Sequence, residues 1–265
     1  MRCEPGVAML IVEPDLPPLL TGHAVLPPDS PFAAACDGAA DGRLGAGDFT
    51  YATRADIAAA ALVLEPEVSA GTARQMVPLL FVAVAQSLGA QMPPKTSILL
   101  RWPDIILVNG AAAGRLSYAM AEHDGVAPPD WLVIGAELQV ASPFSSADEP
   151  GTAVHRTSLA DEGGGDLAAV DVLSSLAAHL LANIDMWRDE PFAQLADECI
   201  GRLEGYDRAV GIADGETLIE GRILGLSEAC GLIVKATDGR IRELALPDRL
   251  PSTSARVVRG GSDTS

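Results

Sequence analysis

An α+β fold is predicted for this chain, a mixed β-sheet packed by helices with a small β module after it, and three observations predict it. Apolar runs of strand length cluster between Ile57 and Val140, with turn residues between them. Apolar residues then recur at steps of three and four from 167 to 203, which is helical spacing. Beyond Gly205 the pattern changes again, to short strand-like runs broken by glycine-bearing turns. Strands first and helices later is the order of an α+β layer rather than of a βαβ repeat. At 265 residues the chain has length for one large core and one small appendage.

Composition narrows the class further. Hydrophobic residues make up 48% and charged residues 20%, a globular balance rather than a disordered one. Eighteen basic against 36 acidic residues give a net charge of −18, and no basic patch interrupts it. Such a surface repels a phosphate backbone, so nucleic acid is not an expected partner. Only Lys95 and Lys235 are lysines; the other positive charges are arginines spaced singly. Cys3, Cys36, Cys199 and Cys230 form no Cys-x-x-Cys pair and have no His at ligand spacing. They read as free thiols in a reducing compartment, with no metal site. Glu4 and Pro5 interrupt the place where a signal peptide needs an apolar run, so a cytoplasmic location is expected. The longest uncharged run, between Arg74 and Lys95, contains Gln75, Pro78, Gln86, Gly89 and Gln91. It predicts a buried core helix rather than a bilayer span, which needs about 20 mostly apolar residues.

Each element follows from local pattern. Residues 13 to 48, rich in Pro, Gly, Asp and Ala, predict short elements joined by long loops. Ile57 to Leu64, closed by Glu65-Pro66-Glu67, predicts a buried strand. A helix from Met76 should stop at Gly89. Ser97 to Asp104 predicts a strand broken at Pro103, and Ile105 to Val108 a second. Asn109-Gly110 then gives the strongest hairpin signal of the chain, with Ala111 to Met120 as the returning strand. Asp130 to Val140 is a further strand. Residues 143 to 166, with three glycines at 163 to 165, predict a surface loop or linker. Leu173, Leu176, Leu180, Ile184 and Trp187 define an amphipathic helix over 167 to 188. A second helix should start at Asp189-Glu190-Pro191, where an acid and a first-turn proline are both favourable. The pair is expected to clamp one sheet face. Thr217 to Leu226, Gly231 to Ala236 and Arg240 to Ala245 predict strands of the small module.

Four segments carry a resemblance. Arg101-Trp102-Pro103-Asp104 ends a strand, Asn109-Gly110 turns a hairpin, Ala111-Ala112-Ala113-Gly114 opens the return, and Gly135 to Gln139 lies in a later strand. In order and spacing they resemble the Lys-Trp-Pro-Asn-Asp, hairpin, Lys-x-x-Gly and Gly-x-Gly-x-Asn segments of biotin/lipoate protein ligases. The resemblance spans roughly residues 50 to 250. It implies the class II synthetase-like sheet of that family over 1–204 and an SH3-like β module over 205–250; the Ser, Thr, Arg and Gly from Pro251 onward predict a disordered tail over 251–265. A DNA-binding extension, which some biotin ligases carry, is not expected.

The resemblance also implies a reaction. Biotin, lipoate or octanoate would be joined to ATP, with Mg, as an acyl-adenylate and passed to a lysine on a carrier domain. Two anions must meet, so the site needs fixed cations and backbone donors. The family's lysine position carries Ala111 here, and a methyl group cannot offset phosphate charge. Arg115, four residues on and facing with Ala111 and Ala113 if the strand is regular, is the candidate replacement. Asp104 matches the family aspartate. These two are the catalytic candidates. Arg43, in the glycine-rich stretch Asp41 to Asp48, together with Arg101, Trp102, Ala111, Gly114 and Gly135, are the candidate ligand-binding residues. Glu137 stands where the family has a glycine, and its charge opposes a phosphate unless it faces away. A catalytically degenerate homologue, binding a cofactor acyl group or a protein partner, is therefore the alternative, and a transferase using a preactivated acyl group is a third reading.

Overall fold

The computed structural model describes residues 12–142, 156–189, 192–206, 208–214, 217–251 and 256–258. In chain order the elements are β1 (Thr21–Val25), α1 (Pro31–Ala40), β2 (Asp48–Ala52), β3 (Ile57–Leu64), α2 (Ala70–Ala73), α3 (Met76–Gln91), β4 (Ile98–Arg101), β5 (Ile105–Val108), β6 (Ala111–Met120) and β7 (Leu132–Gln139). They continue with α4 (Ala169–Asp189), α5 (Phe192–Ile200), β8 (Ala209–Asp214), β9 (Thr217–Leu226), β10 (Leu232–Ala236), β11 (Ile241–Leu244), β12 (Arg249–Leu250) and β13 (Arg256–Val258).

The main sheet runs β1-β2-β3-β7-β6-β5-β4, with β12 added against β6. It is mixed, because β1 lies parallel to β2 while the other pairs are antiparallel. The central strand β3, Ile-Ala-Ala-Ala-Ala-Leu-Val-Leu, is buried at every residue but its ends. Its pleat sends Ala58, Ala60 and Leu62 into the core under α3, and Ala61 and Val63 toward α1. Alanines at these positions let a helix approach each face closely.

Helix α3 is the centre of the larger layer. Twelve of its 16 residues are buried, so a helix apolar enough to suit a membrane is here the core helix, as expected from the interrupted run. It packs on β4, β6 and β7, while α4 packs on α3 and β3. Burying each of its leucines and its phenylalanine contributes about 1.5–3 kcal/mol. The expected clamp of one sheet face by α4 and α5 is not what forms. Helix α5 packs on α3 and on β9, so it joins the two sheets instead. Gly89 does not stop α3, which runs to Gln91 and ends at Met92, extended at φ −83 and ψ 161. Pro93 follows, and the residue before a proline is pushed out of the helical region. The start of α5 expected at Glu190-Pro191 falls outside the described residues.

Residues 157 to 160 are also not the exposed loop that composition suggested. Ser158 and Leu159 are fully buried, and the amides of Leu159 and Ala160 bond to the carbonyls of Gln139 and Val140. The second sheet is antiparallel, in the order β11-β10-β9-β8-β13. Strand β13 lies within the stretch expected to fray, and β8 had no distinct sequence signal. Between β11 and β13 the chain crosses to the main sheet, where Arg249 and Leu250 pair with Ala119 and Tyr118.

Candidate functional site

One face of the main sheet is filled by α3 and α4, and the other is only partly covered. Helix α1 packs Ala35, Cys36 and Ala39 on Ala61, Val63, Ala119 and Val133. Past the start of α1 the sheet is open, and a cavity of about 660 Å³ forms there. That is a volume suited to a small organic ligand. Its floor is Ala59, Ala60, Ala112, Ala113, Gly114 and Ala136, of which Ala60, Ala113 and Ala136 belong by their side chains to the core on the α3 side. Ser30, Pro31 and Phe32 at the N-terminus of α1 form one wall, and Pro251 after β12 another. The first turn of a helix adds partial positive charge to that wall.

The polar lining consists of Arg115, Ser117, Glu137, Gln139, Arg156 and Thr157. Arg115 and Glu137 are cross-strand neighbours on β6 and β7, facing the cavity side by side. Among the described residues neither makes an ion pair. Gln139 is committed, donating to the carbonyls of Asp56 and Ala141 at 3.1 and 2.9 Å. Thr157 donates to Glu162 Oε1 at 2.7 Å. Beside Gln139, Arg54 and Asp56 form a forked pair on the β2–β3 turn. Its hydrogen bonds to Asp56 push the Arg54 guanidinium pKa up, and the negative charge of Glu137 adds to this.

A β-bulge decides what faces the cavity. Leu107 pairs with Ala112 and Ile106 with Gly114, so Ala113 is an extra residue on β6. Ala111 is thereby set opposite Val108, whose side chain belongs to the core, and lies outside the cavity lining. Arg115 does not share a face with Ala111, because the strand is not regular there. Gly114 is required by close approach: a Cβ on it would stand 2.2 Å from the Glu137 carbonyl. Gly135 is required for the same reason, with the Ala60 carbonyl 2.7 Å and Phe32 3.3 Å from a Cβ there.

The other residues predicted from sequence lie elsewhere. Arg101 donates from Nε and Nη2 to Glu204 at 2.5 and 3.1 Å, which ties β4 to the segment after α5. Trp102 is buried at the junction with the second sheet, beside Cys199 and Cys230. Asp104 is buried, and its carbonyl accepts the Leu116 amide at 2.7 Å. Arg43 is exposed on the α1–β2 connection and paired with Asp41 at 3.1 Å. Arg156 and the start of α1 were missed. No local signal marks Arg156, since its place comes from a parallel bridge to Ala112, distant in sequence. Burial pushes the thiols of Cys36 and Cys199 up to about 11 and about 12, and that of Cys230 up as well, so none of the three is poised as a nucleophile.

A sheet backed by helices on one face, with an arginine-bearing cavity on the other, is an α+β architecture with a candidate small-molecule site. Residues 16–201 match the model of the biotin/lipoate A/B protein ligase family, and the chain belongs to that family. It is 26% identical over 187 residues to the biotin–[acetyl-CoA-carboxylase] ligase of Paracoccus denitrificans, spanning 69% of this chain and 75% of that protein. A biotin protein ligase-like protein of unknown function from Silicibacter sp. TM1040 is 33% identical, with a TM-score of 0.76 over 87% of this chain and 96% of that one. The biotin protein ligase of Aquifex aeolicus, in its apo structure, is 17% identical with a TM-score of 0.69, covering 91% of this chain and 100% of that one. Its structure in complex with biotin and ATP gives 0.67 at 17% identity, over 91% and 99%. These last two show the shared fold.

Proposed function

We propose that this protein binds a biotin-type carboxylic acid in the sheet-face cavity, activates it with ATP as an acyl-adenylate and passes the acyl group to a carrier-domain lysine. One observation carries this reading: Arg115 faces a ligand-sized cavity on a ligase-family sheet, with no ion-pair partner among the described residues. Adenylation requires a carboxylate oxygen to attack the α-phosphorus while pyrophosphate leaves. A guanidinium at that point offsets the charge gathering on the phosphate oxygens and holds two of them at once. In the second step the lysine amine attacks the acyl carbonyl and AMP leaves. The Aquifex aeolicus relative holds biotin and ATP, which supports the same pair of ligands here. Among the described residues no group of three or more metal-ligating side chains gathers, so Mg would enter on the ATP phosphates.

Titration calorimetry with biotin, lipoate and octanoate, with and without Mg-ATP, tests the reading beside a pyrophosphate-release assay. Acid binding and acid-dependent pyrophosphate release are expected, and Arg115→Ala should lower the rate of pyrophosphate release by about a hundredfold, the range for one preorganised donor to a developing anion. Pyrophosphate release unchanged in that variant would remove Arg115 from the chemistry. A second reading is favoured by Glu137, whose carboxylate lines the same cavity and opposes a phosphate: a degenerate homologue that binds the acid without activating it. Acid binding with no pyrophosphate release would select it.

A further inference from the structure

The stretch Ala111 to Ala113 of β6 carries no cation, but the cavity gains one from elsewhere in the chain. The segment after β7 returns to the sheet at Arg156, which forms a parallel bridge with Ala112, and the Thr157 amide donates to the Ala112 carbonyl at 2.9 Å. Glu162 fixes this segment by accepting from the Thr157 hydroxyl. Bridged neighbours in a ladder send their side chains to the same face. Arg156 therefore enters the cavity beside the methyl of Ala112, on the strand stretch that carries no cation of its own. Among the described residues it has no ion-pair partner, and it lines the cavity together with Arg115.

We propose that Arg156 is the relocated cation of this site, and that Arg156 and Arg115 together clamp the phosphoryl or carboxylate anion of the ligand from two points along β6. This rests on the reading of the cavity as an acyl-adenylate site and deepens it. The small residue Ala112 fits the arrangement, because a longer side chain there would occupy the space that the Arg156 guanidinium uses. Two forked cations suit an anion with several oxygens, such as a phosphodiester or pyrophosphate, better than a single carboxylate. Glu137, next to Arg115, disfavours any anion placed at that end alone, so the second arginine is needed to tip the cavity toward anions.

Titration calorimetry of the full chain with biotinyl-5-AMP and, separately, with inorganic pyrophosphate tests the clamp. Arg156→Ala is expected to weaken both by about tenfold or more, the loss of one charge-assisted bond. Arg156→Lys should recover part of the affinity, and adding Ala112→Lys to Arg156→Ala should recover it too, since the charge returns to β6. Arg156 is exposed, so its variant should melt within about 2 °C of the parent, which separates lost binding from lost fold. Wild-type affinity in Arg156→Ala, with binding lost in Arg115→Ala, would overturn the clamp and leave the ligase reading standing. Pyrophosphate binding that depends on Arg156, without binding of biotinyl-5-AMP, would keep the clamp and overturn the biotin-type reading. Absence of binding by both probes would overturn the two together.

Discussion

Glu137 is the residue whose charge works against the proposed chemistry. It lies directly across from Arg115, and its field reaches Arg54. At a separation of several ångströms near a surface, one such charge is worth about 1 kcal/mol against an anionic ligand, roughly fivefold in affinity. Glu137→Gln is therefore expected to tighten pyrophosphate about fivefold at low ionic strength, with the gain shrinking at high salt. Titrations of both proteins at two salt concentrations check this; equal affinities would place the ligand away from Glu137. Arg115 and Glu137 were both visible in the sequence from their places in the resembled strands, but the alternation that set Arg115 beside Ala111 and Ala113 fails at the bulge, and the direction in which Glu137 faces was left open. Arg101 was visible but was given a different task there. Its partner Glu204 lies far along the chain, and only the docking of the segment after α5 against β4 brings the two together.

Among the elements, the β5–β6 hairpin shows what local sequence decides. Asn109 and Gly110 take positive φ, 48° and 88°, as a two-residue hairpin of this kind requires. The bulge after it is another matter. Nothing in three consecutive alanines says which of them is extra, and one residue of register moves every side chain to the opposite face. Gly114, next to the bulge, lies close against β7. A methyl group there would meet the Glu137 carbonyl at 2.2 Å and the Leu138 Cα at 3.1 Å, both backbone, so the strands would have to separate. Gly114→Ala is expected to cost about 2–3 kcal/mol and to weaken ligand binding as well, since the cavity floor moves. Urea unfolding measures the first effect, and a variant as stable as the parent would show that β6 and β7 tolerate the displacement.

Across the whole molecule, the two sheets are held by several ties. Helix α5 packs on both α3 and β9, and the β12 strap runs from the second sheet to the first and back. On the strap, Asp248 pairs with Arg74, Arg249 lies over the Phe32 ring at 5.9 Å, Leu250 is fully buried and Pro251 walls the cavity. A single calorimetric transition is the expected result for units tied in this way. Leu250→Ala should lower stability by about 3 kcal/mol through the cavity it leaves. Two resolved transitions in the parent protein would mean that the sheets melt independently and that the strap does not couple them.

The sequence by itself determined the type of most elements from β3 on, though not of α1, β8 or β13, together with the hairpin, the buried character of β3 and α3, and the family, because these depend on periodicity, turn chemistry and motif order over a few residues. It also placed Arg115, Gly114 and Gly135 on the two strands that build the site. Only the tertiary structure decided which candidates share a cavity. The bulge turned Ala111 away and the α5 docking captured Arg101, while the bridge to Ala112 brought in Arg156 and the strap delivered Pro251. Those choices rest on contacts between residues far apart in the chain, where register and docking are set by packing of the whole core rather than by any local preference.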